Sequence, residues 1–76
     1  MITVKLYGLL RIESGIKEAQ LDAKTVKEAL EQLAAFGIDR SALNGCVILI
    51  NGSSANKRSK LMPGDTVVLM SPVAGG

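Results

Sequence analysis

The chain has 76 residues, of which 47% are hydrophobic, and carries a formal net charge of +2. This length supports one small domain, which buries only roughly 60% of its unfolded surface and reaches a stability on the order of 4–8 kcal/mol. The weak charge and the presence of just two aromatic side chains, Tyr7 and Phe36, argue against nucleic acid as a partner, since its binders use basic patches and stacking platforms.

Ile2, Val4 and Leu6 alternate with Thr3, Lys5 and Tyr7, so residues 2–8 are predicted as a half-buried strand that Gly8 ends. Leu9-Leu10-Arg11-Ile12-Glu13 shows no clear period and is expected as a turn or short irregular piece. Ser14-Gly15 signals a turn, and residues 16–22, anchored by Ile16 and Leu21, read as a second strand in an antiparallel hairpin with the first. Thr25 begins the clearest helix. Thr25-Val26-Lys27-Glu28 fits a capping box, in which the hydroxyl accepts the N3 amide and Glu28 reaches back. Val26, Ala29, Leu30, Leu33 and Phe36 form the predicted buried face, with Lys27, Glu31 and Gln32 on the other side. Gly37 stands where a left-handed C′ residue is expected.

Residues 38–45 form a connector with a short helical turn led by Asp39. Cys46-Val47-Ile48-Leu49-Ile50 is a continuous apolar run, as in a strand near the middle of a sheet, and Asn51-Gly52 closes it as a turn. Residues 53–61 are polar and weakly patterned. Pro63-Gly64 fits positions i+1 and i+2 of a type II turn, with Asp65 capping it. Thr66-Val67-Val68-Leu69-Met70 is the last strand, apolar on both faces and so expected at the centre of the sheet. The order is hairpin, helix, strand, turn region, strand, which gives an α+β roll with a mixed sheet of about four to five strands and one main helix. Val68 and Met70, or Val67 and Leu69, then face away from the helix. That face is either a partner surface or is covered by the 53–61 loop.

The last strand runs into Ser71-Pro72-Val73-Ala74-Gly75-Gly76. Pro72 fixes φ near −65° and donates no hydrogen bond, so it is expected to end the ladder and start an extended arm. Gly75 and Gly76 have no Cβ and let protein walls approach closely. The expected division is a body of residues 1–71 and a flexible tail of residues 72–76. A terminal carboxylate at Gly76 is ionised at pH 7 and reacts as an acyl donor only after activation, for example as an acyl-adenylate made with ATP.

Taken together, Leu10-Arg11, Thr25-Val26 with Ala29-Leu30, Ile50-Asn51-Gly52, Pro63-Gly64-Asp65-Thr66-Val67 and the Pro72 to Gly76 ending resemble the small subunit of molybdopterin synthase. That group belongs with the thiamine sulfur carrier in the MoaD/ThiS family, and the likeness spans the whole chain. It implies a β-grasp (ubiquitin-like) roll acting as a sulfur carrier. A ubiquitin-activating-type adenylating enzyme would use ATP to adenylate the Gly76 carboxylate, and a sulfur donor protein would convert it to a thiocarboxylate. The large synthase subunit would accept the tail for molybdopterin (molybdenum or tungsten cofactor) biosynthesis. Gly76 is then the reacting residue, and Gly75, Ala74, Val73, Pro72, Met70, Val68 and Arg11 are partner-binding residues. The chain itself would hold no cofactor or metal and would be the co-substrate of a synthase complex. The chain departs from the pattern in having Leu69-Met70-Ser71 where relatives often carry a second proline and bulky aromatics, and Tyr7 in place of a phenylalanine.

The remaining residues point to structure. Cys46, the one cysteine, allows no intrachain disulfide and reads as a small buried hydrophobe, with a sulfur relay as the alternative. Lys57, Arg58 and Lys60 make a solvated basic loop or a steering patch for an acidic partner. Arg11 faces a partner near the tail or water. The chain has no histidine, no phosphate loop and no nucleophile–base pair, so an enzyme acting alone is not expected. Without an 18-residue apolar run or a signal-peptide pattern, no membrane span is expected and a cytoplasmic location is. Alternatives to the molybdopterin carrier are a thiamine-type sulfur carrier, a ubiquitin-like modifier joined to lysines through Gly76, and a β-grasp interaction domain with a coincidental ending.

Overall fold

The computed structural model describes residues 1–71. Among them, the elements in chain order are β1 (Ile2–Gly8), α1 (Leu9–Ser14), β2 (Glu18–Leu21), α2 (Val26–Ala35), α3 (Arg40–Asn44), β3 (Val47–Ile50), β4 (Ser53–Ser54) and β5 (Thr66–Ser71). The five strands form one sheet in the order β2-β1-β5-β3-β4. β5 is central, as its two apolar faces predict. It runs parallel to β1, from Thr3↔Thr66 to Gly8↔Ser71, and antiparallel to β3, from Ile50↔Val67 to Val47↔Met70.

The period-2 pattern of β1 decides which side is dry. Ile2, Val4 and Leu6 are buried with Val67 and Leu69 of β5, Ile48 of β3 and Leu21 of β2. Helix α2 closes this side with Val26, Ala29, Leu30 and Leu33. Full burial of a side chain such as Leu33 is worth roughly 1.5–3 kcal/mol.

The start of α2 is held by more than its cap. Thr25 Oγ1 accepts the Glu28 amide at 3.2 Å. Glu28 Oε2 accepts the Lys24 amide at 2.6 Å, one residue before the position a standard capping box uses. The Val26 and Lys27 amides donate to the carbonyls of Ser59 and Lys57, at 3.0 and 3.1 Å. Three of the four amides that a helix start leaves without partners are therefore satisfied. Of the 53–61 segment, Ser53 and Ser54 form β4 at the sheet edge, Lys57 and Ser59 lie at the helix start, and Leu61 enters the core. The segment does not fold over the opposite face of the sheet.

Phe36 does not join the buried face; it is 64% exposed. The helix ends in a Schellman motif. The Gly37 amide donates to Ala34 O at 3.0 Å and the Ile38 amide to Leu33 O at 3.3 Å, with Gly37 at φ 101°. The motif turns the chain so that Ile38, 7% exposed, takes the apolar position expected of Phe36. Two further expectations need correction. Residues 9–14 form a helix where an irregular piece was expected, and β2 spans residues 18–21 where 16–22 were predicted. Asp39 caps α3 by accepting the Ser41 amide at 3.2 Å. The two-residue Asn51-Gly52 loop, with both φ values positive, joins β3 to the short β4 as a type I′ turn does.

Candidate functional site

The site is built on the end of β5. Ser71 is 7% exposed, and it is the one buried polar residue among those described. Its Oγ accepts the Leu10 amide at 3.0 Å, a buried hydrogen bond that spans 61 residues of sequence. Leu10 is the second residue of α1, so Ser71 satisfies one of the amides left open at that helix start. Gly8, the residue before α1, gives no side-chain cap. Gly8 also pairs with Ser71 across the ladder. Its φ of 67° and ψ of −142° favour glycine, and a Cβ there would stand 2.3 Å from the Ser71 carbonyl oxygen. Two contacts thus converge on the residue from which the tail departs.

Arg11 is the next residue after Leu10 on α1 and is exposed. The expected Arg11 is therefore brought to the root of the tail through its neighbour's bond to Ser71. Pro72, Val73, Ala74, Gly75 and Gly76 lie outside the described residues.

The face of the sheet away from α2 carries the other expected residues. The register aligns Tyr7, Met70 and Val47 in one row and Lys5, Val68 and Leu49 in the next. Tyr7 is 38%, Met70 43% and Val47 50% exposed, while Val68 and Leu49 are partly exposed. Val68 and Met70, not Val67 and Leu69, face outward, so the pair expected to bind a partner is on the open side. Glu18 pairs with Lys5 at one border of the patch and Ser54 with Leu49 at the other. This is an apolar centre with a polar rim, the composition of a protein contact surface. Tyr7 and Val47 belong to it and were missed by sequence reasoning. Their signal was the phase of the alternation, since residues in phase with Met70 lie on its face.

The base of β5 is fixed by a polar brace. Asp65 Oδ2 accepts the Met62 amide at 2.8 Å, and Asp65 Oδ1 accepts Asn51 Nδ2 at 3.0 Å. Asn51 Oδ1 accepts the Thr66 amide at 2.9 Å. These bonds favour the charged carboxylate, and the Met62 amide does most to hold Asp65 below its ordinary value. The capping role expected of Asp65 is what the structure shows. Gly64 has φ 89°, and the Asp65 amide donates to Met62 O at 3.0 Å, as a type II turn requires.

Chemistry elsewhere is sparse. Cys46 is half-buried and its Sγ donates to Leu43 O at 3.0 Å. Burial pushes its thiol up, outweighing the opposing pull of its backbone hydrogen bond and of Lys57. It therefore holds less thiolate at neutral pH than an ordinary cysteine. Lys57 Nζ donates to Asn44 Oδ1 at 2.7 Å, beside a cavity of about 130 Å³ between α2 and α3 that Lys27 and Arg40 also line. Among the described residues, no group of three or more potential ligands is placed to hold a metal ion. No helix among them is long and apolar enough to cross a membrane.

A model of the ThiS family matches residues 4–76. No curated protein matches the chain. Among solved structures, SAMP1 from Haloferax volcanii is 26% identical with a TM-score of 0.74, and the match covers 99% of this chain and 98% of that one. The molybdopterin-converting factor of Helicobacter pylori 26695, a complex of subunits 1 and 2, is 25% identical with a TM-score of 0.74, covering 99% and 97% of the two chains. The BexX/CysO complex of Amycolatopsis orientalis is 20% identical over 100% of both chains with a TM-score of 0.79, a likeness of fold alone. The family match spans nearly the whole chain and the sheet with its main helix is shared over nearly its full length, so this chain belongs to the ThiS family and has the β-grasp, ubiquitin-like fold.

Proposed function

We propose that this chain is a cytoplasmic sulfur carrier, with residues 1–71 as its body and residues 72–76 as its donor arm. The observation that carries the reading is the central strand β5, which ends on a doubly restrained Ser71 immediately before the tail. A family match that runs to residue 76 supports it. An oxygen of the Gly76 carboxylate attacks the α-phosphorus of ATP within a ubiquitin-activating-type enzyme, and pyrophosphate leaves. A sulfide equivalent from a sulfur donor protein then attacks the acyl carbon. AMP leaves with the bonding pair, and Gly76 becomes a thiocarboxylate. The chain supplies the reacting group and its placement, and the partner enzyme supplies ATP binding and catalysis. Gly75, Ala74, Val73 and Pro72 enter the partner's channel. Val68 and Met70, with Tyr7 and Val47 beside them, dock against the large molybdopterin synthase subunit, and Arg11 contacts it at the tail root. The sulfur goes to a pterin precursor of the molybdenum or tungsten cofactor. The likeness to subunit 1 of a two-subunit molybdopterin-converting factor supports this branch over a thiamine-type carrier.

A second reading has its own support. The chain is 26% identical to SAMP1, a small archaeal modifier protein, and the same activated Gly76 serves to form an isopeptide bond with a lysine.

The test is incubation of the full chain with ATP, sulfide and the host's adenylating enzyme, followed by intact and fragment mass spectrometry. The expected product has one oxygen replaced by one sulfur at Gly76. An unchanged Gly76 sinks the carrier reading. Lysine-linked adducts recovered from the native host favour the modifier. Dithiolene formation from a pterin precursor on adding the large subunit favours the molybdopterin branch.

A further inference from the structure

We infer that Ser71 is a positioning residue whose hydroxyl latches the end of β5 to α1 and so fixes the point from which the chain continues to residue 72. The inference deepens the sulfur-carrier reading and rests on it for its functional consequence.

The ladder shows where the restraint is needed. β3 pairs with β5 only as far as Met70, whose partner is Val47. At Ser71 the sole remaining ladder partner is Gly8, the last residue of β1. Without a further contact, the end of β5 would be held on one edge only. The Ser71 hydroxyl supplies that contact by accepting the Leu10 amide inside the protein.

The way α1 is capped supports a latch over a simple cap. A Ser, Thr, Asp or Asn at position 8 would cap α1 locally. This chain has Gly8 there, in a backbone conformation that side chains avoid, and draws its hydroxyl from the far end of the sequence. The bare Cα of Gly8 is what lets the Ser71 carbonyl approach, since an added Cβ would stand 2.3 Å from it. Ser71 also precedes Pro72, and a residue before proline is confined to extended conformations. Strand pairing, hydroxyl and following proline therefore all restrain the same short piece of backbone. A partner that must thread a thin arm into a channel gains from a fixed departure angle, because small misplacements of reacting groups cost large factors in rate.

The test compares Ser71→Ala, Ser71→Thr and Thr25→Ala in the full-length chain. Thr25→Ala removes the α2 cap and serves as a destabilised control that leaves the tail root intact. With ¹⁵N-labelled protein, Ser71→Ala is expected to lower the order parameter of the residue 71 amide. Ser71→Thr restores it, and Thr25→Ala leaves it unchanged. With the host's adenylating enzyme and ATP, Ser71→Ala is expected to lower kcat about fivefold, the equivalent of one hydrogen bond of typical net strength. KM for the chain stays the same because Ser71 is buried and the exposed surface is untouched. Should Ser71→Ala fail to fold, Ser71→Cys takes its place with the same expected outcomes, its thiol being a weak acceptor. A residue 71 amide and a kcat that do not change, or that change equally in Thr25→Ala, overturn the latch. If the wild-type chain is not adenylated at all, the sulfur-carrier reading fails, and the residue 71 comparison still decides the latch.

Discussion

Gly8→Ala isolates the close approach that shapes the tail root. The substitution acts twice. An alanine at φ 67°, ψ −142° sits in a sparsely populated region, at a cost of about 2 kcal/mol. Its Cβ would stand 2.3 Å from the Ser71 carbonyl oxygen, which is backbone, so the end of β5 must shift and release the Leu10 amide. A buried amide left without its acceptor costs about another 2 kcal/mol. The sum, about 4 kcal/mol, is a large share of what a chain of this length can hold and lowers Tm by on the order of 20 °C. Gly15→Ala is the control. Gly15 also has positive φ, 72°, but nothing lies within 4 Å of the position its Cβ would take. It carries only a conformational penalty of about 1 kcal/mol. Urea unfolding of the three proteins with a shared m-value reads the difference directly. A gap of about 3 kcal/mol is expected. Equal costs for the two alanines would refute the claim that Ser71 and Gly8 are locked by contact.

Thr25→Ala is expected to lose about 1 kcal/mol in the same urea assay, the worth of a typical helix N-cap. Met70→Asp places a charge in the apolar centre of the open face, which is 43% exposed at that residue; if that face docks the large subunit as proposed, binding weakens at least tenfold by calorimetric titration while the urea midpoint barely moves. Asp65 is held below its ordinary value of 3.8, so its stabilising contribution is present above that pH and is lost as pH falls through the lowered folded value. Asp65→Asn therefore flattens the decline in urea midpoint between pH 5 and pH 3. The raised Cys46 thiol is expected to react with iodoacetamide at pH 7.5 more slowly in the folded chain than in urea-unfolded chain, and Cys46→Ala leaves sulfur loading unchanged.

The legible parts of this fold are those whose signal is local. The alternation from Ile2 to Tyr7 showed β1 and its inner face, and the two-sided apolar run of β5 showed that it is central. The capping sequence at Thr25 marked the start of α2. What was missed depends on distant partners. Helix α1 has no periodicity of its own, and the hydroxyl that caps it sits 61 residues away. Phe36 fits the α2 period but falls beyond the residue where the Schellman turn hands the core position to Ile38. For the site, Val68 and Met70 were visible as a pair but not their phase, which was fixed only once Val67 and Leu69 were seen packed under α2. Ser71 was invisible as anything but a strand end, because a buried hydroxyl looks in sequence like an exposed one.

The central place of β5 has a mechanical meaning. A force applied at Ser71 along the axis of β5 is carried by this strand. The hydrogen bonds to β1 and β3 lie across that axis on both sides, so they are loaded together in shear and cannot be unzipped one at a time. An edge strand pulled the same way would be held by hydrogen bonds on one side only. A pull at Ser71 is thus passed through both neighbours to the whole sheet.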